Sequence, residues 1–201
     1  MKRLPAPRLA PLPLERWDDD ARAILRGRMK GADRFMSGAP DAPPLPNVLG
    51  LLGHHMRLGG AWLAYNGVLL DEPTLDPRHR ELLILRVAKR TGSTYEWAQH
   101  VRLGQRLGIT TEDIDAIALG TQATAWTALE HDLMAAADQL LDDYDIDTTT
   151  WSRLAEHFDE RQLLELLFVV GSYLCLALVF NSVGLELDPG LDPGQPSGTP
   201  A

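Results

Sequence analysis

The stretch that decides the fold, residues 76–108, reads DPRHRELLILRVAKRTGSTYEWAQHVRLGQRLG. Asp76 supplies a capping side chain and Pro77 follows it at the first helical position, so a helix begins here. Gly92 ends that helix, because glycine readily adopts the left-handed conformation found at helix ends. Ser93 begins the next helix, which ends at the glycine that closes the stretch. The stretch therefore predicts two helices in direct succession.

Helical patterns also cover most of the remaining chain. Apolar residues recur at helical spacing, and capping residues precede several apolar runs. The predicted helices cover residues 17–25, 47–69, 111–119, 124–141 and 151–158, and a long apolar helix follows residue 159. No segment shows sustained alternation of apolar and polar residues, so no strand is predicted. The expected fold class is all-α, a helical bundle.

The distribution of proline predicts three regions in the 201 residues. Residues 1–46 form a proline-rich arm with one short helix, because proline fixes its backbone angle and lacks an amide donor. Residues 47–187 contain the helical domain. Residues 188–201 repeat Leu-Asp-Pro-Gly without apolar periodicity, so a disordered tail is predicted.

Composition argues against several classes of protein. The net charge of -9 leaves no basic stripe for nucleic-acid phosphates and disfavours an anionic membrane surface. Cys175 is the only cysteine, which excludes an intramolecular disulfide and a metal site made of thiolates. Prolines interrupt the N-terminus before any continuous apolar segment, so no signal peptide is predicted. We expect a cytoplasmic protein that binds neither nucleic acid nor membrane.

The apolar run at residues 163–180, LLELLFVVGSYLCLALVF, is about long enough to span a bilayer. Glu165 near its start and Gly171-Ser172 in its middle weaken that interpretation. We expect a buried helix instead. A helix that is apolar on all sides must be covered on all sides, which favours a homo-oligomer built by packing of apolar helices.

The segment STYEWAQH at residues 93–100 has two interpretations. Ser93 and Glu96 fit a capping box, in which each side chain binds the backbone amide of the other residue. In the second interpretation Ser93, Glu96 and His100 share one helical face and converge on one small volume, with Trp97 as apolar cover. Partial burial would then raise the pKa of Glu96 and strengthen its interaction with the imidazole.

The preceding helix contributes two charged residues within an apolar run. Glu81 and Arg86 are surrounded in sequence by leucine, isoleucine and valine. A charge in such a run either faces solvent or has a partner. For Glu81 the local alternative is a pair with Arg78 or with an arginine one turn further along.

The combination R-x-x-E-x-x-I-L-R-V-A at residues 78–88 and Y-E-W-x-x-H at residues 95–100 resembles the carboxymuconolactone decarboxylase family. That family also contains the AhpD-type alkylhydroperoxidases. The resemblance is strongest over residues 76–108 and extends more weakly over about 47–187. It implies an AhpD-like helical bundle, commonly assembled as a trimer or a hexamer.

The redox branch of that family carries two cysteines between a glutamate and a histidine. Laid on this chain, the glutamate falls on Glu81 and the histidine on His100, while Ser93 and Glu96 occupy the two cysteine positions. A thiolate attacks the peroxide in that chemistry, and neither serine nor glutamate can replace it. Cys175, interpreted as a small core residue, lacks a resolving partner, so a thiol peroxidase is the least favoured function.

The decarboxylating branch implies loss of carbon dioxide from a carboxylated lactone without a cofactor. The resemblance suggests His100 as general acid, Glu96 as the group that orients its ring and Glu81 as the end of the relay. Arg86 is the candidate cation for an anionic substrate, unless it pairs with a carboxylate on a neighbouring helix. Trp97 and Ser93 complete the expected substrate-binding set. Isomerisation or lactone hydrolysis would use the same catalytic residues.

Two further expectations concern a rival function and the role of the other histidines. A non-catalytic oligomeric binding protein on the same fold is the alternative to an enzyme, and in that case Glu96 is only a cap. His54 and His55 are adjacent and point to different helical faces, and no His-Glu-x-x-His motif is present, so no metal is predicted. His79, His131 and His157 lie among charged residues and are expected at the surface.

Overall fold

The computed structural model describes residues 6–37, 39 and 41–191. These residues contain ten α-helices and no β-strand, so the all-α fold class is confirmed. The helices are α1 (Asp19–Arg28), α2 (Asp33–Met36), α3 (Asn47–Leu52), α4 (Met56–Asp71), α5 (Pro77–Thr91), α6 (Thr94–Arg106), α7 (Thr111–Leu119), α8 (Ala128–Asp142), α9 (Thr148–Ala155) and α10 (Glu160–Val183). Short 3-10 turns occupy Leu14–Arg16, Gly53–His55 and Gly120–Gln122. Most of the predicted tail, residues 192–201, lies outside the described residues.

The chain divides into two compact units. The N-terminal unit comprises the described residues between 6 and 72 together with Ser182–Asp188, and the main unit is built on Pro73–Asn181. The domain organisation predicted from the sequence divides the chain at residues 46 and 47 instead. The division into compact units does not test the predicted arm, helical domain and tail, so that domain organisation stays a prediction.

The N-terminal unit has its own apolar core. Trp17, Leu25, Phe35, Leu49 and Met56 are buried together. The sequence predicted one short helix before residue 47, whereas the structure has both α1 and α2 there. The four-residue α2 was missed because its apolar contact, a single buried phenylalanine, shows no periodicity.

The main unit is organised around α5. Every residue of α5 from Arg80 to Ala88 is buried, and the helix packs against α6, α7 and α8. A helix covered on all sides explains why apolar residues surround its charges. α8 begins at Ala128 and α9 at Thr148, so the starts predicted at residues 124 and 151 are each displaced by a few residues, because Thr127 and Asp147 provide the caps.

The connection from α5 to α6 follows the sequence signals. The side chain of Asp76 accepts a hydrogen bond from the amide of Arg78, and Pro77 occupies the first turn. Gly92 adopts φ 65°, a left-handed conformation that favours glycine. The amide of Ser93 donates to the carbonyl of Ala88 at 3.0 Å, so the chain turns directly from α5 into α6.

α10 buries one face and exposes the other. Edge-on ring contacts join Tyr173 to His100 and Phe180 to Tyr95, so α10 packs along α6. The exposed face carries Leu164, Phe168 and Leu178, so a single chain covers only part of this helix, and its coverage by a second subunit stays a prediction. Among the described residues α10 alone is long and apolar enough to cross a membrane. Half of that apolar window is buried, as in the core helix of a globular protein.

Candidate active site

A buried carboxylate and a buried imidazole face each other across α5 and α6. The Nδ1 atom of His100 lies 2.7 Å from Oε2 of Glu81. Glu81 is 1% exposed and His100 is 7% exposed. The guanidinium of Arg80 also donates to Oε1 of Glu81, at 3.3 Å. The predicted relay therefore contains a real contact between helices.

The Glu81 carboxylate is ionised in this environment. Burial raises its pKa, but the hydrogen bond and charge of His100, together with Arg80, more than offset that effect, and the net pKa lies below the usual value. The carboxylate of Glu81 therefore accepts a hydrogen bond from the Nδ1–H group of His100. This hydrogen bond fixes the imidazole ring and leaves Nε2 as the nitrogen that can exchange a proton with a bound molecule.

Tyr173 of α10 fixes the other side of the imidazole. Its ring meets the His100 ring edge-on, with centroids 4.9 Å apart and planes at 90°. Tyr173 is not among the site residues predicted from the sequence, because it lies within a run that is otherwise apolar. The available signal was an aromatic residue with a hydroxyl in the middle of that run.

Glu96 was predicted to orient the imidazole of His100, but it makes no hydrogen bond to that ring. Glu96 is 2% exposed, and neither carboxyl oxygen has a hydrogen-bond partner. Glu81 performs the role that was predicted for Glu96. The reason is geometric: the side chain of Glu81 approaches Nδ1 from the neighbouring helix, whereas Glu96 lies one turn before His100 on the same helix.

The capping-box interpretation of Ser93 and Glu96 is also wrong. Ser93 precedes α6 as its N-cap residue but makes no capping hydrogen bond with its side chain. Its amide is already bound to the carbonyl of Ala88, so Glu96 has no donor to reach back to. The hydroxyl of Ser93 is buried and has no hydrogen-bond partner. Two unpartnered polar groups thus lie on the first turn of α6.

The pKa of Glu96 is strongly perturbed. Burial raises it to about 8, and the neighbouring Ser93 hydroxyl lowers it by a smaller amount without meeting hydrogen-bond geometry. A carboxyl group with this pKa is largely protonated at neutral pH. Strongly perturbed carboxyl groups next to a histidine are typical of functional sites. Glu81 and Glu96 thus differ in protonation state at neutral pH: Glu81 is an anion and Glu96 is largely a neutral acid.

Residues 57–139 match the model of the Carboxymuconolactone decarboxylase family, a range that contains Glu81, Ser93, Glu96 and His100. Over this segment the chain is similar to that family. The assignment made from the sequence is confirmed. Among curated proteins, none matches the chain significantly.

Several solved structures share the fold of this chain. An uncharacterized peroxidase-related protein from a Silicibacter species has a TM-score of 0.73 at 17% identity, covering 98% of this chain and 99% of its own. The alkylhydroperoxidase AhpD core, an uncharacterized peroxidase-related protein from Ralstonia eutropha, has a TM-score of 0.72 at 16% identity, covering 92% and 95%. The debrominase Bmp8 in complex with 2,3,4-tribromopyrrole has a TM-score of 0.67 at 14% identity, covering 90% and 91%. Identities this low show the fold alone.

The guanidinium of Arg86 is bound by other parts of this chain. Its guanidinium donates to both carboxylate oxygens of Asp138, at 2.7 and 2.8 Å, and to the carbonyl of Ile117 at 2.7 Å. Paired in this way, a buried arginine joins helices. The prediction of a substrate-binding role for Arg86 is therefore wrong, and the alternative of a pair on a neighbouring helix is found.

Trp97 is half-buried on α6. The ammonium of Lys89 lies 5.3 Å from the centroid of the indole ring, within the range of a cation–π contact. This contact joins α5 and α6 at the end of the hairpin where Ser93 lies. A substrate-binding role for Trp97 stays a prediction.

Two other residues differ from their sequence interpretations. Cys175 is exposed and not part of the core, because it lies on the outer face of α10. His79 is half-buried rather than at the surface; its ring packs edge-on against Phe158, and burial lowers its pKa. Among the described residues no group of three or more potential ligands could hold a metal ion, and the prediction of no metal stays a prediction.

Proposed function

We propose that this protein is an enzyme that moves a proton to or from a carbon atom of a small carbonyl compound, such as a carboxylated lactone. Its family and the debrominase among its structural neighbours support an enzyme-like function at the family level. The observation that carries the proposal is the buried hydrogen bond between Glu81 and His100, beside the protonated Glu96.

The proposed reaction on a carboxylated lactone has two steps. The carboxylate leaves as carbon dioxide, and the electron pair of the broken C–C bond moves into the conjugated lactone carbonyl. His100, protonated on Nε2, then donates that proton to carbon. Glu81 stabilises the imidazolium and keeps the ring in place, a combination that contributes about 100- to 10,000-fold in general acid catalysis. Solvent restores the proton, so no cofactor is consumed.

A cation other than Arg86 is needed to bind an anionic substrate, because Arg86 is bound to Asp138. The substrate remains a small molecule in this proposal, and an anionic one has an alternative cation in Lys89 on the same hairpin. Isomerisation and lactone hydrolysis use the same His100 and Glu81, and the first experiment separates decarboxylation from isomerisation.

The test measures two products with one set of proteins. Wild type is incubated in deuterium oxide with carboxymuconolactone and with unsaturated lactones that lack a carboxyl group. Carbon dioxide release reports decarboxylation, and deuterium incorporation next to the carbonyl reports proton transfer. His100→Gln removes the imidazole but keeps a polar side chain, and His131→Ala is the control, since the His131 side chain is 46% exposed.

The outcomes decide between the functions. Release of carbon dioxide by wild type and His131→Ala, but not by a folded His100→Gln, supports the decarboxylase. Deuterium incorporation without carbon dioxide supports an isomerase or a related enzyme. If neither reaction occurs with any of these lactones, the proposal fails and the alternative, a non-catalytic binding protein on the same fold, gains support.

A homo-oligomer is part of the same proposal. The exposed face of α10 carries Leu164, Phe168, Gly171, Cys175 and Leu178 at alternating spacings of four and three residues, the pattern of a helix that packs along another helix. The trimer or hexamer implied by the family resemblance would cover such a surface. A cytoplasmic location and the absence of nucleic-acid and membrane partners also stay predictions.

A further inference from the structure

The first turn of α6 buries two polar side chains that no other part of the described protein satisfies. Ser93 is 1% exposed and Glu96 is 2% exposed. The hydroxyl of Ser93 and both carboxyl oxygens of Glu96 lack hydrogen-bond partners. Because the two residues are three positions apart at the start of one helix, their side chains lie on the same face. Leaving such groups unsatisfied is costly, and the capping box that would use both does not form.

The chemistry of these two groups indicates what they bind. A serine hydroxyl donates a hydrogen bond, and so does a protonated carboxyl group. Burial raises the pKa of Glu96 to about 8, so this carboxyl group is a donor at neutral pH. They lie at the N-terminus of a 13-residue helix, where the helix dipole favours negative charge. All three features suit an oxygen atom that carries or gains negative charge.

We infer that Ser93 and Glu96 together bind the carbonyl oxygen of the substrate and stabilise the negative charge that this oxygen gains during the reaction. The inference rests on the proposed function and names its substrate class: a carbonyl compound that passes through an enolate. When a proton or carbon dioxide leaves the adjacent carbon, the electron pair moves onto this oxygen. Glu96 keeps its proton throughout and donates only a hydrogen bond, while His100 transfers the proton at carbon.

This role differs from a structural one in its dependence on the charge of the ligand. A donor pair built for an oxyanion binds a more negative oxygen more tightly. Residues that only pack, or that only hold a water molecule, have no such preference. The charge on a bound oxygen is therefore the quantity to vary.

Substituted phenols of increasing acidity serve as probes, because a phenolate oxygen resembles the oxygen of an enolate. Their affinities are measured by calorimetry at neutral pH, and the bound ionisation state is read from the ultraviolet spectrum. The variants are Glu96→Leu, Glu96→Gln and Ser93→Ala. Glu112→Gln is the matched control, since Glu112 is exposed on α7. Thermal unfolding shows that each variant is folded, and Glu96→Leu is expected to fold well because it removes an unpartnered buried polar group.

We expect wild type and Glu112→Gln to bind the acidic phenols as phenolates. Glu96→Leu should weaken this binding about 10- to 100-fold, the effect of losing one strong hydrogen bond to a charged group. Glu96→Gln keeps an N–H donor, so its phenolate affinity should fall less than that of Glu96→Leu. Ser93→Ala should also bind phenolates more weakly than wild type, by a smaller factor than Glu96→Leu. Equal affinities in wild type and Glu96→Leu, or no phenol binding by wild type, would overturn the inference.

The same series separates this inference from the proposed function. If wild type binds phenolates through Glu96 but turns over none of the lactones, the oxygen site stands and the proposed reaction fails. If the lactones react while phenol binding ignores Glu96 and Ser93, the reaction stands and the oxygen site fails. His100→Gln should keep phenolate binding, and where the wild type turns over a lactone this variant should lose that turnover.

Discussion

The imidazole of His100 donates through Nδ1 to the carboxylate of Glu81, at 2.7 Å, in a contact that joins α5 to α6. The two residues are 19 positions apart in the sequence, and both are buried. The hydrogen bond determines which ring nitrogen carries the proton in the neutral imidazole. That consequence can be observed without any substrate.

Neutral His100 should carry its proton on Nδ1. Free histidine favours the other tautomer, but an ionised carboxylate 2.7 Å from Nδ1 requires a donor there. Long-range proton–nitrogen correlation spectra of the folded protein should show this tautomer for His100. His131, with an exposed side chain, is the internal control and should show the ordinary one.

The matching variant is Glu81→Gln. An amide can present its N–H group to Nδ1, so the tautomer preference should weaken or reverse while the side-chain shape is kept. Unfolding should become easier by about 1 to 3 kcal/mol, the cost of disturbing a buried charged hydrogen bond. An unchanged tautomer in Glu81→Gln would contradict this account of the pair.

The stability of the protein should depend on pH through Glu96. Its folded-state pKa of about 8 is raised above the usual 4.5, so the folded protein keeps a proton that the unfolded chain releases. For a raised pKa, the contribution to stability is complete below about pH 4.5 and is lost as the pH rises toward 8. The loss over this window is on the order of 3 to 5 kcal/mol.

Glu96→Gln isolates that contribution from other titrating groups. Glutamine has nearly the same shape and does not titrate, so the difference in unfolding free energy between variant and wild type should shift in favour of the variant between pH 5 and pH 8. Urea unfolding at several pH values measures it. A difference that stays constant over this range would show that Glu96 has an ordinary pKa.

Local signals predicted the helices well where one residue type determines the conformation. Asp76, Pro77 and Gly92 set the start and the end of α5 because each acts through its own backbone or nearest neighbours. Asp159 and Gln162 form a similar local pair at the start of α10, in which each side chain binds the amide of the other residue. These interactions span only three residues.

The site was harder to predict because its contacts span helices. The pattern Ser-x-x-Glu at residues 93–96 fits a capping box, yet the turn after α5 takes the amide that the box requires. No partner for Arg86 could be identified from the sequence, because the partner, Asp138, is 52 residues away. The family resemblance placed Glu81 and His100 together, whereas the sequence alone did not identify Glu81 as the partner of Nδ1.

Arg86 should contribute to stability rather than to substrate binding. Arg86→Lys breaks a two-pronged pair with Asp138 and removes one of the donors to the Ile117 carbonyl of α7, which should cost about 3 kcal/mol in unfolding free energy. Arg90→Lys is the control, because the Arg90 side chain is 29% exposed and should cost much less. Phenol binding and turnover should remain unchanged in folded Arg86→Lys, measured at a temperature well below its unfolding midpoint.

Gly120 gives an independent test of the same guanidinium. Its φ is 61°, and an added Cβ would lie 2.3 Å from Nη2 of Arg86. Gly120→Ala should therefore destabilise through both backbone strain and a clash. The clash is relieved in the double variant with Arg86→Lys. The double variant should therefore lose less unfolding free energy than the sum of the losses in the two single variants. Additive costs would show that Gly120 and Arg86 do not interact.

The exposed face of α10 should hold the proposed oligomer together. Phe168 is 49% exposed at the centre of the apolar stripe, and glutamate at this position would place a charge against the same stripe of another copy. Light scattering coupled to size-exclusion chromatography should show Phe168→Glu as a monomer and wild type as an oligomer. Leu119→Glu is the matched control, since Leu119 is 61% exposed at the end of α7 and not on this face. A wild-type monomer, or an oligomer that survives Phe168→Glu, would assign this surface to something other than self-association.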